Sequence, residues 1–122
     1  MPYERFEAWR VAHRMALEIY RVTDAWPREE RFGLTIQLRR AALSVPTNIA
    51  EGAGKRGSRE FRRFLDIANG SLSEVSYLLL FSKHRELMTP DVWLMLEEIR
   101  ASASRLTWRL YRVVSERADA PR

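Results

Sequence analysis

Histidine, with a side chain that titrates near neutrality and ligates metals, occurs twice, at His13 and His84. Di-metal sites inside helical bundles draw a Glu-x-x-His pair from each of two helices. Three residues before His13 stands Arg10, and three before His84 stands Phe81, so neither pair exists and a di-iron centre is excluded. The glycine-bearing run Gly52-Ala53-Gly54-Lys55-Arg56-Gly57 invites comparison with a phosphate-cradling loop. G-x-x-x-x-G-K-[ST] would need glycine where Ile49 stands and Ser or Thr where Arg56 stands, and no strand precedes the run. Nucleotide hydrolysis is therefore rejected. With no cysteine anywhere, the chain has no thiolate nucleophile, thiolate metal site or disulfide.

Four polar residues interrupt otherwise apolar stretches: Asn48, Glu51, Ser71 and Glu74. Glu51 and Glu74 could act as a carboxylate pair in a wet cleft. They could equally join an inter-helix hydrogen-bonded network, paired to Arg39 or Arg40. No nucleophile or base accompanies them, so the structural role is expected, and the chain is predicted to bind rather than catalyse, without cofactor or metal.

Binding has a visible candidate in the basic residues. The net charge is +5, and it is local: residues 1–26 sum to 0, 27–64 to +5, 65–88 to −1 and 89–122 to +1. Within 39–63, Arg39, Arg40, Lys55, Arg56, Arg59, Arg62 and Arg63 face only Glu51 and Glu60. Such a cluster attracts an anionic partner, although a solvated helical face laced with salt bridges has the same composition. At the 52–58 loop, successive backbone N–H groups, a helix N-terminus and the side chains of Lys55, Arg56 and Arg59 all favour an anion, with phosphate the natural candidate.

Four helical segments must position these residues. Ala8, Ala12, Met15, Ile19 and Val22 recur at spacings of four and three, and the stripe ends near Trp26-Pro27. Leu34, Leu38, Ala42, Val45 and Ile49 form a second stripe that reaches Gly52. After the glycine loop, with Ser58 placed to cap, Phe61, Leu65, Ala68, Leu72, Val75 and Leu79 form the third. Thr89-Pro90 opens the fourth, with Val92, Leu96, Ile99, Ala103, Leu106, Leu110 and Val113. Helices are predicted near 4–25, 28–52, 58–86 and 90–117, packed as an antiparallel up-down four-helix bundle in one domain, residues 1–122. Pro46 lies inside the second helix, where proline removes a hydrogen bond and costs ~3 kcal/mol, so a kink or brief break is expected near Ala42–Pro46, with Thr47 and Asn48 able to donate to freed carbonyls.

The third helix carries more apolar surface than one stripe needs. Tyr77-Leu78-Leu79-Leu80-Phe81 is apolar all round, and Phe64 and Ile67 lie beside the main seam. A bundle buries one face per helix, so a second burial surface through self-association is expected, and a charge at Leu78 or Phe81 should weaken it. The 122 residues suffice for a single hydrophobic core. Charges in MPYERFEAWR replace the apolar region of a signal peptide and no stretch approaches ~20 apolar residues, which together with the absent cysteine points to the cytoplasm.

The central block carries a family resemblance. Phe32-Gly33-Leu34, Gln37-Leu38-Arg39-Arg40-Ala41-Ala42, Ser44-Val45-Pro46-Thr47-Asn48-Ile49-Ala50-Glu51-Gly52, Ser58, Glu60-Phe61, Phe64-Leu65, Ala68, Gly70-Ser71-Leu72 and Glu74 closely resemble the bacterial 23S rRNA-intervening sequence proteins. Trp9, Ala12, Ile19-Tyr20, Thr23 and Pro27 extend the likeness, which covers residues 3 to about 80. It implies an up-down four-helix bundle that assembles as a homopentamer, related to accessory proteins of diversity-generating retroelements, which bind nucleic acid and a reverse transcriptase. It carries no catalytic residues over, and in its light Ala41, Ala42, Ala50, Ala68 and Gly70 look like positions of close helix packing. Two functions are thereby expected to compete: electrostatic binding of nucleic acid, RNA preferred, little dependent on base sequence, and a protein-binding scaffold or accessory subunit that touches no nucleic acid.

Overall fold

The computed structural model describes residues 1–121. Among them there is no strand; the chain is a 3-10 turn at Pro2–Arg5 followed by α1 (Glu7–Thr23), α2 (Leu34–Ala53), α3 (Ser58–His84) and α4 (Pro90–Ala118), with a second 3-10 turn at Arg28–Glu30. Each helix packs on its chain neighbours and α1 closes the ring against α4, while the backbones of the diagonal pairs stay more than 8 Å apart. The direction of each helix follows from which ends meet. Arg39 near the start of α2 reaches Asp24 after the end of α1, and Arg62 near the start of α3 reaches Asp119 after the end of α4. Lys83 at the end of α3 lies over Trp93 at the start of α4. The arrangement is up, down, up, down.

The core is built from the four stripes except at the end of α4, where Val113 is exposed and Thr107 and Val114 are buried instead. Met15, Ile19, Leu38, Ile49, Leu65, Leu72, Leu79 and Leu96 are fully buried, and Ala12, Ala42, Ala68 and Ala103 let the helices approach one another. Burying a leucine-sized side chain contributes about 1.5–3 kcal/mol, so these residues hold the bundle together.

Several expectations need correction. The second helix starts at Leu34, not near 28, because Pro27 leads into a 3-10 turn and the backbone at Gly33, with φ −114° and ψ −109°, leaves the helical region. Ser58 does not cap α3. Gly57 takes the N-cap position with φ +83°, a left-handed conformation that glycine adopts without penalty, and Ser58 becomes the first helical residue. At the other turn Thr89 does cap: its hydroxyl accepts from the Val92 N–H at 3.2 Å. Pro46 is accommodated inside an uninterrupted α2, its ring buried; the Asn48 amide donates to the Ser44 carbonyl at 2.8 Å, two residues beyond the Ala42 carbonyl that Pro46 leaves without its helical donor.

On α3, Phe64 lies beside the seam as expected, buried but outside the main core cluster, whereas Leu78 belongs to that core; a charge at Leu78 would disrupt the core before any assembly. Tyr77, Leu80, Phe81 and Ile67 remain exposed. Gly70 is not a packing glycine either, since a Cβ built on it would meet nothing within 4 Å. Gly52 is one: a Cβ there would lie 2.8 Å from the Phe64 Cβ and 2.9 Å from the Phe61 Cδ1.

Candidate functional site

The basic residues of the central block separate into two groups at opposite ends of α2. From Arg39 to Lys55 is sixteen residues, ~24 Å at 1.5 Å per helical residue. Arg39 is a strut: its Nε donates to Thr23 Oγ1 at 2.7 Å, its Nη2 to the Tyr20 carbonyl at 3.1 Å and to Asp24 at 2.8 Å, and its guanidinium lies 4.5 Å from the Tyr20 ring centroid. A cation at the C-terminal end of α1 also complements the helix dipole there. Arg40, exposed, borders an open cleft of about 650 Å³ with Arg28, Arg31, Trp26, Phe32 and Thr35.

The other group surrounds the turn between α2 and α3. The Gly54 N–H is shared between the Ala50 and Glu51 carbonyls and the Lys55 N–H goes to Gly52, which closes α2. Among the described residues no side chain caps the N–H groups of α3, and Lys55, Arg56 and Arg59 stand exposed around them. Among the described residues none of these three makes an ion pair. Arg62 and Arg63 do: Arg62 donates to Asp119 at 2.9 Å and Arg63 to Glu60 at 3.4 and 3.2 Å. Surface pairs of this kind contribute about 0–1 kcal/mol and yield readily to another anion. Buried Phe64 supports the group from below, with the Arg63 guanidinium 4.5 Å and the Lys55 ammonium 5.6 Å from its ring centroid.

The two glutamates do not join the network expected of them. Glu51 and Glu74 are exposed and make no ion pair among the described residues; Arg39 is held by Asp24, and Arg40 is not paired to either. The inter-helix network exists without them: Ser44 and Ser71 hydroxyls lie 2.9 Å apart between α2 and α3, and the Asn48 amide donates to the Ser44 hydroxyl at 3.0 Å. Glu74 lines a shallow groove beside these serines, together with Gln37 and Arg40. His13 stacks on Trp9, 4.8 Å between centroids and 8° between planes. Among the described residues, no three His, Asp or Glu side chains converge as metal ligands.

A third basic surface was not singled out from the sequence. Arg100, Arg105, Arg109 and Arg112 line one side of α4 with Ala101, Ser104 and Trp108, and among the described residues no acidic side chain lines it. The sum of +1 over 89–122 hides it, since Asp91, Glu97 and Glu98 precede the arginines in the same helix. Spacings of three and four from Ala101 and Arg105 through Trp108 to Arg112 would have revealed it.

Because antiparallel helices bring these segments together, charge is polarised along the bundle. The half made of residues 1–14, 44–70 and 104–121 holds twelve Lys and Arg against seven Asp and Glu, a net of +5. Residues 15–43 and 71–103 form the other half, with eight against nine, a net of −1. Arg122 lies outside the described residues. Among the described residues, no helix is long and apolar enough to cross a membrane.

Residues 4–109 match the model of the family described as 23S rRNA-intervening sequence protein. No curated protein matches the chain. A crystal structure of a protein with unknown function from the S23 ribosomal protein family of Bacteroides thetaiotaomicron VPI-5482 superposes with a TM-score of 0.77. The two chains are 18% identical, with 86% of this one and 98% of that one covered, so the likeness is one of fold.

Proposed function

Because the chain belongs to the 23S rRNA-intervening sequence protein family, we propose that it is a non-enzymatic, self-associating helical bundle that binds nucleic acid, RNA in preference, by electrostatic contact around the α2–α3 turn. The observation that carries this is Lys55, Arg56 and Arg59, three cations without an ion pair among the described residues, on an uncapped helix start in the +5 half of the molecule. The family's name, which refers to rRNA, is in keeping with such a partner. Arginine supplies 19 of the 21 basic residues, and its planar fork suits phosphate oxygens. Self-association rests on the exposed apolar side chains of α3, and the number five on the resemblance of the central block. A ring would repeat the basic turn once per subunit and multiply weak contacts through effective concentration.

The test is affinity for a structured RNA as a function of salt, in the parent and in Lys55→Ala/Arg56→Ala/Arg59→Ala. If the three side chains touch phosphates, log K falls steeply with log salt in the parent, and the slope shrinks by about 0.7–0.9 for each phosphate no longer neutralised. Affinity indifferent to both salt and the triple change favours the scaffold reading, in which the exposed face of α3 recruits a protein.

A further inference from the structure

We propose that the arginine-lined side of α4 is a track for single-stranded nucleic acid, in which the indole of Trp108 stacks on a base while Arg105, Arg109 and Arg112 take the phosphates. This surface is distinct from the α2–α3 turn and does not depend on it.

Trp108 is 47% exposed. An indole is among the most costly side chains to leave in water, and the cleft that this one lines is bordered by four arginines with only Ala101 and Ser104 between them. Of the lining residues, Arg100 alone is neutralised, by Glu97 at 2.6 Å; Arg105, Arg109 and Arg112 make no ion pair among the described residues. Arg109 also borders the groove between α1 and α4, beside Glu7, without pairing to it. The ring is held from one side: Tyr111, half-buried against the core, meets it edge-on at 5.4 Å and 73°. Trp108 thus offers a stacking platform whose orientation is already limited by a packed neighbour.

Charge and aromaticity together select the ligand. Three unpaired guanidiniums within two helical turns want a repeating anion. An aromatic face between them wants a flat π-system at the same repeat, and single-stranded nucleic acid carries both. In a duplex the bases are stacked on one another and cannot reach Trp108. An acidic peptide would satisfy the arginines and leave the indole without a complement, so it is the outcome the test must exclude.

The experiment measures fluorescence anisotropy of a labelled uridine oligonucleotide and of an RNA duplex of equal length on the full chain. Three α4 variants are compared, Trp108→Ala, Trp108→Leu and Trp108→Phe, with circular dichroism and light scattering confirming fold and subunit number. Stacking predicts that Ala and Leu lower single-strand affinity by about 5- to 150-fold and leave duplex affinity unchanged, whereas Phe retains most of the binding. Changing Arg105, Arg109 and Arg112 to Gln should flatten the salt dependence of single-strand binding. Equal loss on both ligands, loss on neither, or a Leu variant that binds as well as Phe overturns the proposal. So does a change of subunit number in Trp108→Leu, which would make this face a contact between copies. Lys55→Ala/Arg56→Ala/Arg59→Ala, run in parallel, separates failure here from failure at the turn.

Discussion

Gly52 and Gly70 both sit inside helices, and their surroundings are opposite. At Gly52 the end of α2 lies so close to α3 that a methyl group would stand 2.8 Å from the Phe64 Cβ, an atom fixed to the α3 backbone. Alanine gains up to ~1 kcal/mol of helix propensity, but overpacking costs about 1–3 kcal/mol and should win. Gly52→Ala is therefore expected to be less stable, by about 1 kcal/mol, in urea unfolding at fixed protein concentration. At Gly70 nothing opposes the methyl, so Gly70→Ala should be more stable by about 0.5–1 kcal/mol. A second pair separates the helix caps. Thr89→Ala removes a cap bond and should cost about 1 kcal/mol, while Ser58→Ala, whose hydroxyl makes no cap bond, should be nearly neutral by the same measurement. Thr89 is legible as a cap because proline follows it; Ser58 misleads because a left-handed Gly57 ends the turn one position earlier.

At the scale of the element, α3 carries two stripes. Phe61, Leu65, Ala68, Leu72, Val75 and Leu79 face the core, and Ile67, Gly70, Glu74, Tyr77 and Phe81 follow the same three-four spacing on the exposed side. Tyr77 is 63% and Phe81 42% exposed, with their ring centroids 6.2 Å apart. If this second stripe is a contact between copies, Tyr77→Glu and Phe81→Glu should lower the subunit number seen by light scattering while helix content stays at the parent value. A parent that scatters as a monomer at micromolar concentration would leave the stripe without this role. Hydrophobic periodicity makes the core stripes readable, since a 3.6-residue repeat survives in sequence whatever the partner helix is. The start of α2 is not readable in the same way, because a 3-10 turn after proline keeps helix-like composition and differs only in backbone angles. Nor is the separation of Arg39 from Lys55: closeness in sequence along one continuous helix is distance in space.

Over the whole molecule, up-down topology turns a charge pattern scattered through four segments into a polarity of the bundle. The half holding the α2–α3 turn, the start of α1 and the end of α4 carries +5, and the half holding the cleft of Arg28, Arg31 and Arg40 carries −1. Mean charge alone cannot distinguish these ends, and their effects on an anion differ because screening limits each charge to ~8 Å at physiological ionic strength, well short of the ~25–44 Å helices. Two triple variants with the same change in net charge make the distinction measurable. Lys55→Ala/Arg56→Ala/Arg59→Ala removes three cations from the basic half; Arg28→Ala/Arg31→Ala/Arg85→Ala removes three from the other, all exposed and none in an ion pair among the described residues. RNA affinity should fall in the first variant with a decrease of about 2–3 in the salt slope, and should change little in the second. Equal losses would mean that RNA responds to net charge and not to a surface, and a larger loss in the second would move the binding surface to the cleft between the end of α1 and the start of α2.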